Sequence, residues 1–570
     1  MTLGLSRLDL VVIAVYLLGV AGIGFWTYRR IKDTGDFFLG RRGFGKVLAL
    51  AHAFGTGTHT DQPVSVSGAC YQLGLAGIWY QWLWLFATPF YWLLAPIYRR
   101  LRYVTTVDFF QERFGSSMAM LYLFMALIFF MVNIGTMLKG TGTTIEGITG
   151  GALSTNVTIW IMTVLFVTYG LAGGLIAAAV TDVIQGVLII VLSFILPPFA
   201  IMKIGGFHVL HDKLDASMFS LVAPHEVTLF FIFMVVINGL VGWVVQPHHM
   251  AICGSGKTEW ESRVGMTYGN FIKRFCTSAW AFIGIFGAVL YPSLSPEKRE
   301  LVFGMATRDL LPAGLVGLMV AAMLAAVMST CDAFMVDGSA LFTRNFYERF
   351  INKKPKPKRS LLVARIASVF IVFGGIGFAF WIPNVVFGLK VLWQVTSVIG
   401  ISFWLGMLWP RANRWGAWAS FIVAAGISIL VGDMFKFSLG LPFQWTTAIY
   451  LPAGFLTNIV VSLLTRGEPE RKIEQFYELM ETPVGKEDRL REKGYEIIYE
   501  GGAGTEEIDK TRDKKTLKKP DQGLILAGLF RKGKRLTFTR YSDDLMGFLV
   551  AWGFVAFVII VTVAFTWIGA

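Results

Sequence analysis

The run Phe54-Gly55-Thr56-Gly57-Thr58-His59-Thr60-Asp61-Gln62-Pro63 decides how the chain folds. Apolar turns precede it and Val64 to Tyr71 follow it, so the surroundings read as one membrane-crossing helix at about 46–70. Hydrocarbon offers no partner to a freed backbone N–H or C=O, so a run of glycines, hydroxyls and a proline at that depth must line a cavity or bind something. A milder interruption recurs at Asn238-Gly239-Leu240-Val241-Gly242, followed by Gln246-Pro247-His248. Each interrupted segment is the first of five consecutive apolar spans, the pattern of an inverted repeat whose binding site lies where the two breaks meet.

The rest of the chain fits that reading. Hydrophobic residues make up 55% of it, charged residues only 15%, and the mean hydropathy is +0.60, values that exclude a soluble enzyme, a fibrous protein and a disordered chain. Runs near the roughly 20 residues that cross a bilayer begin with span 0 at 8–28 and continue with spans 1 to 5 at 46–70, 76–98, 117–138, 157–175 and 176–202. Spans 6 to 10 follow at 228–252, 264–290, 312–343, 360–382 and 385–409, then two more at 415–433 and 445–465 and a last at 545–568. The expected fold is all-α: a polytopic membrane protein of about fourteen transmembrane helices. It divides into span 0 with its inner loop (1–45), a ten-helix core with a five-plus-five inverted repeat (46–410), two accessory spans (411–466), a charged loop (467–544) and a final span (545–570).

Basic residues set the orientation. With the N-terminus outside, the short inner loops hold 21 Lys and Arg and the outer segments 8, which places both termini outside and 467–544 in the cytoplasm of a cell-membrane protein. Span 0 has Arg7 before it and Arg29 and Arg30 after it, the reverse of a signal peptide's charge order, so it reads as a retained span. The 467–544 loop carries 17 basic and 17 acidic residues and adds nothing to the net +14, an excess that serves topology and not nucleic-acid binding. Ile473, Phe476, Tyr477 and Met480 share one face of a surface helix there, and the loop as a whole reads as a linker. The four cysteines have no paired spacing and read as buried thiols.

Span 8 adds a third element, Ala326-Val327-Met328-Ser329-Thr330-Cys331-Asp332. Hydroxyls three and four residues beyond the Ala326 carbonyl converge with it on one point of the helix surface, an oxygen set that suits Na+. Asp61 and Lys273 are charges well inside spans, each a functional candidate or one half of a helix-locking ion pair. His59 is a proton-coupling group or a neutral pocket residue.

Several motifs carry a family resemblance. Tyr169 to Gly174 (YGLAGG) and Val180 to Gly186 (VTDVIQG) resemble the span 4 to 5 signature of the sodium:solute symporter family. So do Phe37 to Arg42 (FFLGRR), Thr105 to Gly115 (TTVDFFQERFG), Gln246 to His248 (QPH) and Met328 to Asp332 (MSTCD), in the right order over about 36–410. The resemblance implies a leucine-transporter-like fold with mixed features: the extra spans and long last loop are similar to the sugar branch, the QPH element to the proline-carrier branch. It also implies a sodium site of the Gly55, Thr58 and Ala326 carbonyls with the Ser329 and Thr330 hydroxyls. Asp182 then matches an acidic residue on the sodium exit route, or is a solvated carboxylate at the inner end of its helix.

For the solute, Gln62, Gln81 and Lys273 match positions of the sugar carriers, with Gln81 in place of a glutamate. Trp243 matches an aromatic of the proline carriers, whereas Gly57 replaces their aspartate, His59 their small hydroxyl residue and Gly239 a tryptophan. His59, Gln62, Gln81, Trp243 and Lys273 are expected to face one cavity between spans 1, 2, 6 and 7, with Asp61 beside them. The function expected is sodium-coupled symport of a small polar solute, a sugar, amino acid or organic acid. The rivals are a proton-coupled symporter and a non-transporting sensor on the same scaffold. The expected partners are the solute, Na+ and the lipid bilayer, with no nucleic acid and no obligate protein partner.

Overall fold

The computed structural model describes residues 4–28, 44–170, 175–353, 355–495, 497, 523–528 and 538–569. Among these residues the fold is helical throughout, with no β-strand. The N-terminal part comprises α1 (Arg7–Tyr28), α2 (Lys46–Gly57), α3 (Asp61–Leu73), α4 (Trp79–Leu101), α5 (Thr106–Phe114), α6 (Ser116–Ile148), α7 (Thr155–Gly170), α8 (Leu175–Ile204) and α9 (His208–Lys213). The middle comprises α10 (Leu229–Gly242), α11 (Pro247–Ser255), α12 (Glu259–Leu290), α13 (Val302–Leu310), α14 (Leu315–Phe342), α15 (Pro357–Trp381) and α16 (Val385–Leu408). The last part comprises α17 (Arg414–Val431), α18 (Phe443–Leu464), α19 (Glu470–Glu481), α20 (Asp488–Glu492), α21 (Ile525–Gly528) and α22 (Phe538–Thr566). Among the described residues nine helices are long and apolar enough to cross a membrane, or ten if the bent pair formed by α10 and α11 is one span.

Both expected interruptions are present, the second at the Gln246-Pro247 end of the stretch that composition marks. Span 1 divides into α2 and α3, which leaves Thr58, His59 and Thr60 outside the helices. In span 6 the stretch from Asn238 to Gly242 stays helical, and the 63° bend falls at Gln246. The cause is Pro247, which has no N–H to continue the ladder and drives the preceding residue out of the helical region; Gln246 has φ −63° and ψ 124°.

Small residues set the spacing of the core. Long α12 lies along both halves of the broken span: a Cβ on Gly265 or Gly269 would meet the backbone of α2, and one on Gly284 the Ser67 carbonyl of α3. Gly140 of α6 packs on the Asp61 backbone from another side. A Cβ on Gly400 of α16 would stand 2.1 Å from the Val241 carbonyl of α10. Contacts this close between helices are the close packing that membrane helices build from glycine.

Helix α1 is tied to the start of α14 through Asp9. That carboxylate is buried and accepts the N–H groups of Gly314 and Gly317, each at 2.7 Å, so it satisfies orphan donors at a helix N-terminus.

The charged segment after α18 begins with more than a linker. Helix α19 buries Phe476, Tyr477, Leu479 and Met480, and the Phe476 ring packs on Phe109 of α5. Arg102, in a left-handed conformation at the end of α4, is buried and donates to the carbonyls of Thr482 (3.2 Å) and Pro483 (2.9 Å) and to Glu487 (2.9 Å). Arg100 and Val484 converge on the Glu259 carboxylate at the start of α12. Charge balance in the sequence conceals this docking, because the matching cations lie on α4, hundreds of residues away.

Two outcomes follow from this packing. Gly400→Ala forces a Cβ into the Val241 carbonyl and should destabilise the solubilised protein by about 1–3 kcal/mol, whereas Gly377→Ala, with nothing within 4 Å of its Cβ, should leave the melting temperature unchanged. Burial works against the Glu487 carboxylate, but Arg102 beside it and the Gly485 N–H hold its pKa below the usual value. A depressed carboxyl stabilises above its unfolded pKa of about 4.3 and loses that contribution as pH falls through the folded value. Hydrogen-exchange protection of 482–492 should therefore be complete at pH 7 and collapse below about pH 4, with Glu487→Gln weakening it already at pH 7.

Candidate functional site

The site begins with the three residues that α2 and α3 leave outside the helices. Thr58 is extended, and its N–H donates to the Gly55 carbonyl at 3.2 Å while its hydroxyl donates to the Phe54 carbonyl at 2.6 Å. A His59 ring nitrogen, Nε2, lies 2.8 Å from the Thr56 carbonyl, and Nδ1 lies 3.7 Å from the Asp61 carboxylate. The Thr60 hydroxyl bonds that of Thr141 on α6 at 2.8 Å.

Gly57 is the hub. Its carbonyl accepts the Gln62 side-chain amide at 3.1 Å and the Lys273 ammonium from α12. His59, Asp61, Gln62 and Lys273 therefore gather at the break. Gln81 and Trp243 belong to a neighbouring group. The backbone carbonyl of Gln81 accepts from Arg274, the residue after Lys273, at 3.4 Å. The Trp243 ring lies 4.2 Å from Tyr91 and 5.2 Å from His249. The two groups meet through α12, since Lys273 serves one and Arg274 the other.

A small cavity opens beside the break, between Thr58, His59 and Thr60 on one side and Ser193, Trp280, Met323 and Ala326 on the other. Of the six expected solute residues only His59 lines it. Thr58 and Ala326, two of the expected sodium residues, share its wall. Thr330 lies one helical turn beyond Ala326, and its buried hydroxyl has no hydrogen-bond partner, an oxygen free for a cation. The Gly55 carbonyl accepts the Thr58 N–H at 3.2 Å, and a carbonyl oxygen carries two lone pairs. The side chains of Ser329 and Asp182 lie outside the described residues, as do Phe37 to Arg42.

Buried polar atoms without partners are rare in folded proteins, and each asks for an explanation. Here Asp61 Oδ1, Gln62 Oε1, Gln81 Oε1, Trp243 Nε1 and Thr330 Oγ1 are all in that state, so five of the eleven residues expected to bind sodium or solute carry one. Others escaped the sequence reading. Both amide atoms of Gln394 on α16 are buried and unpartnered, and its neighbour Trp393 stacks on Tyr80, next to Gln81. His248 Nδ1 is likewise unpartnered, with its ring 5.4 Å from Phe334, which in turn lies 5.9 Å from His59. Arg274 carries an unpartnered Nε. Only its place beside Lys273 in a span could have marked it in the sequence.

Comparison with known proteins gives a consistent picture. The model of the family described as "Sodium:solute symporter family" matches residues 37–424. The osmoregulated proline transporter OpuE of Bacillus subtilis is 25% identical over 505 residues, covering 82% of this chain and 97% of its own. Sodium/glucose cotransporter 1 of Oryctolagus cuniculus is 25% identical over 536 residues, covering 81% of this chain and 80% of its own. Among solved structures, a Na+-coupled sialic acid symporter in a substrate-bound outward-open state superposes with a TM-score of 0.67 at 17% identity, covering 82% of this chain and 99% of that one. At that identity the likeness is one of fold.

Proposed function

Because the chain belongs to the sodium:solute symporter family, and is therefore a sodium-coupled membrane transporter and not an enzyme, we propose that it moves a small polar organic solute together with Na+ by alternating access. The observation that carries this reading is the set of unpartnered buried polar atoms at the two helix breaks. A fold that leaves Asp61, Gln62, Gln81 and Trp243 each short of a partner inside a membrane core is one that expects a polar guest. The relatives are named for proline and for glucose, and this pocket keeps features of both: glutamines at 62 and 81, a lysine at 273 and an aromatic at 243.

In this scheme Na+ takes the carbonyls of Gly55, Thr58 and Ala326 and the hydroxyls of Ser329 and Thr330, and leaves by way of Asp182. The solute binds on the other side of the same unwound strand, against His59, Asp61, Gln62, Gln81, Trp243 and Lys273. Coupling needs no further device, because sodium fixes the backbone that the solute contacts. The scheme carries with it fourteen spans, a five-plus-five inverted repeat over 46–410, termini outside the cell membrane and 467–544 in the cytoplasm. It draws support from the two discontinuous helix pairs and from the basic residues of the inner loops.

Ser329→Ala with Thr330→Ala removes two of about five oxygen ligands. Sodium-driven uptake in proteoliposomes should then need at least tenfold more sodium for half-saturation, in a protein with an unchanged melting profile. An unaltered sodium curve would exclude the site. Orientation is tested separately: with native thiols replaced, a cysteine at Lys510 should resist an impermeant maleimide in intact cells and react after permeabilisation. Labelling in intact cells would reverse the topology.

A further inference from the structure

The charge of the pocket narrows the solute. Helix α12 carries two adjacent cations deep inside the protein, Lys273 at 7% and Arg274 at 1% exposure. Neither forms an ion pair with a carboxylate among the described residues. Lys273 is held by the Gly57 carbonyl, and Arg274 by the Gln81 carbonyl at 3.4 Å and the Tyr91 side chain. Carbonyl and phenol groups leave most of a guanidinium charge uncompensated, and its Nε–H has no partner at all.

The surroundings of Arg274 are incomplete in a matching way. Tyr91 packs against Trp243 with the rings tilted by 59°, the indole N–H of Trp243 is buried and unpartnered, and Gln81 offers an unpartnered amide oxygen. Two free donors, Arg274 Nε–H and Trp243 Nε1–H, thus flank Tyr91 between α4, α12 and the turn after α10. Asp61 is the carboxylate at this level of the break. Asp332, also buried, forms no hydrogen bond with either cation.

Building on the symport reading above, we infer that Arg274 is a solute-recognising residue and that the solute is an organic acid whose carboxylate binds Arg274 and the Trp243 indole N–H. A guanidinium fork matches a carboxylate in geometry as well as charge, and a buried cation without an acid is the arrangement that an incoming anion completes. With Lys273 and Arg274 set against Asp61, the pocket favours a carboxylate. An amino acid would bring an ammonium beside Lys273 and Arg274, and like charges at that depth repel strongly. A neutral polyol would leave the guanidinium as it stands.

The test uses the full chain in proteoliposomes with matched probes: glucuronate against glucose, and lactate against proline, plus pyruvate and benzoate as further carboxylates. Sodium binding is followed independently by tryptophan fluorescence without solute. The expected result is sodium-driven uptake of at least one net-anionic carboxylate and of neither glucose nor proline. Arg274→Gln should then raise the half-saturating concentration of that carboxylate by about 30-fold or more, with Arg274→Lys intermediate and the sodium-induced fluorescence change retained in both. A purely structural role would lower the maximal rate and leave half-saturation alone. Transport of glucose or proline, an unchanged half-saturation in Arg274→Gln, or no response to any carboxylate with the sodium response intact would overturn the inference and leave the symport reading standing. Loss of the sodium response in the unmodified protein would count against symport itself. If Arg274→Gln does not fold, the probe panel on the unmodified protein decides alone.

Discussion

Everything in this fold answers to one constraint: an unwound backbone buried in a membrane protein must find its hydrogen-bond partners inside the protein. Thr58, His59 and Thr60 lie outside the helices, and several polar groups around them find partners across the break. The Gly57 carbonyl takes Lys273 and Gln62, the Thr56 carbonyl takes the His59 ring, and the Thr60 hydroxyl reaches Thr141 on α6. Those partners are in reach only because α12 and α6 run against the broken span at glycine spacing, through Gly265, Gly269, Gly284 and Gly140. The break therefore dictates where its neighbours must lie, and the small residues on those neighbours are the means.

Satisfaction is deliberately partial. Carbonyls of the break carry partners, while Asp61 and Gln62, and Gln81 and Trp243 in the neighbouring group, each keep one buried polar atom unused. A core that served stability alone would have closed these valences or replaced them with apolar groups, since an unmet buried donor or acceptor costs about 1–3 kcal/mol. Stability is supplied elsewhere, by elements whose polar groups are saturated. Glu300 shows the contrast, for both its oxygens accept N–H groups at the start of α16, from Val385 at 3.0 Å and Val386 at 3.2 Å. At the other end of that helix Arg113 donates through Nε and Nη2 to the carbonyls of Gly406, Trp409 and Pro410, although its Nη1 stays unpartnered.

How much of this the sequence discloses depends on the range of the interaction. The span 1 break was legible because glycine, threonine and proline crowd into ten residues where lipid tolerates none of them unpaired. The span 6 break is legible at its Gln246-Pro247 end, where the proline makes the bend, whereas Asn238, Gly239 and Gly242 suggest unwinding yet remain helical. Asp61 and Lys273 stand out in the sequence as charges within spans, whereas His59 and Gln62 are marked by the family resemblance. Arg274 escaped because a second cation beside Lys273 looks like the same signal, and only coordinates show that the two side chains face different neighbours. The docking of α19 and of Glu487 on Arg102 was beyond reach, because it joins a balanced, water-compatible segment to residues 377 to 385 positions away.

The same contacts explain why a single strand of backbone suffices to couple two ligands. Lys273 sits on the Gly57 carbonyl, two residues from Gly55 and next to Thr58, the pair proposed for sodium. An acidic solute that draws Lys273 toward itself removes a cation from beside the strand and returns a lone pair to it, so the electrostatic cost of placing Na+ nearby falls. By linkage the argument runs equally in reverse: Na+ held at Gly55 and Thr58 repels the Lys273 ammonium and presents it to an anion. If the proposed sodium and acid sites both hold, the Lys273 ammonium beside the strand would link them with positive cooperativity, whereas a neutral solute would couple through backbone ordering alone.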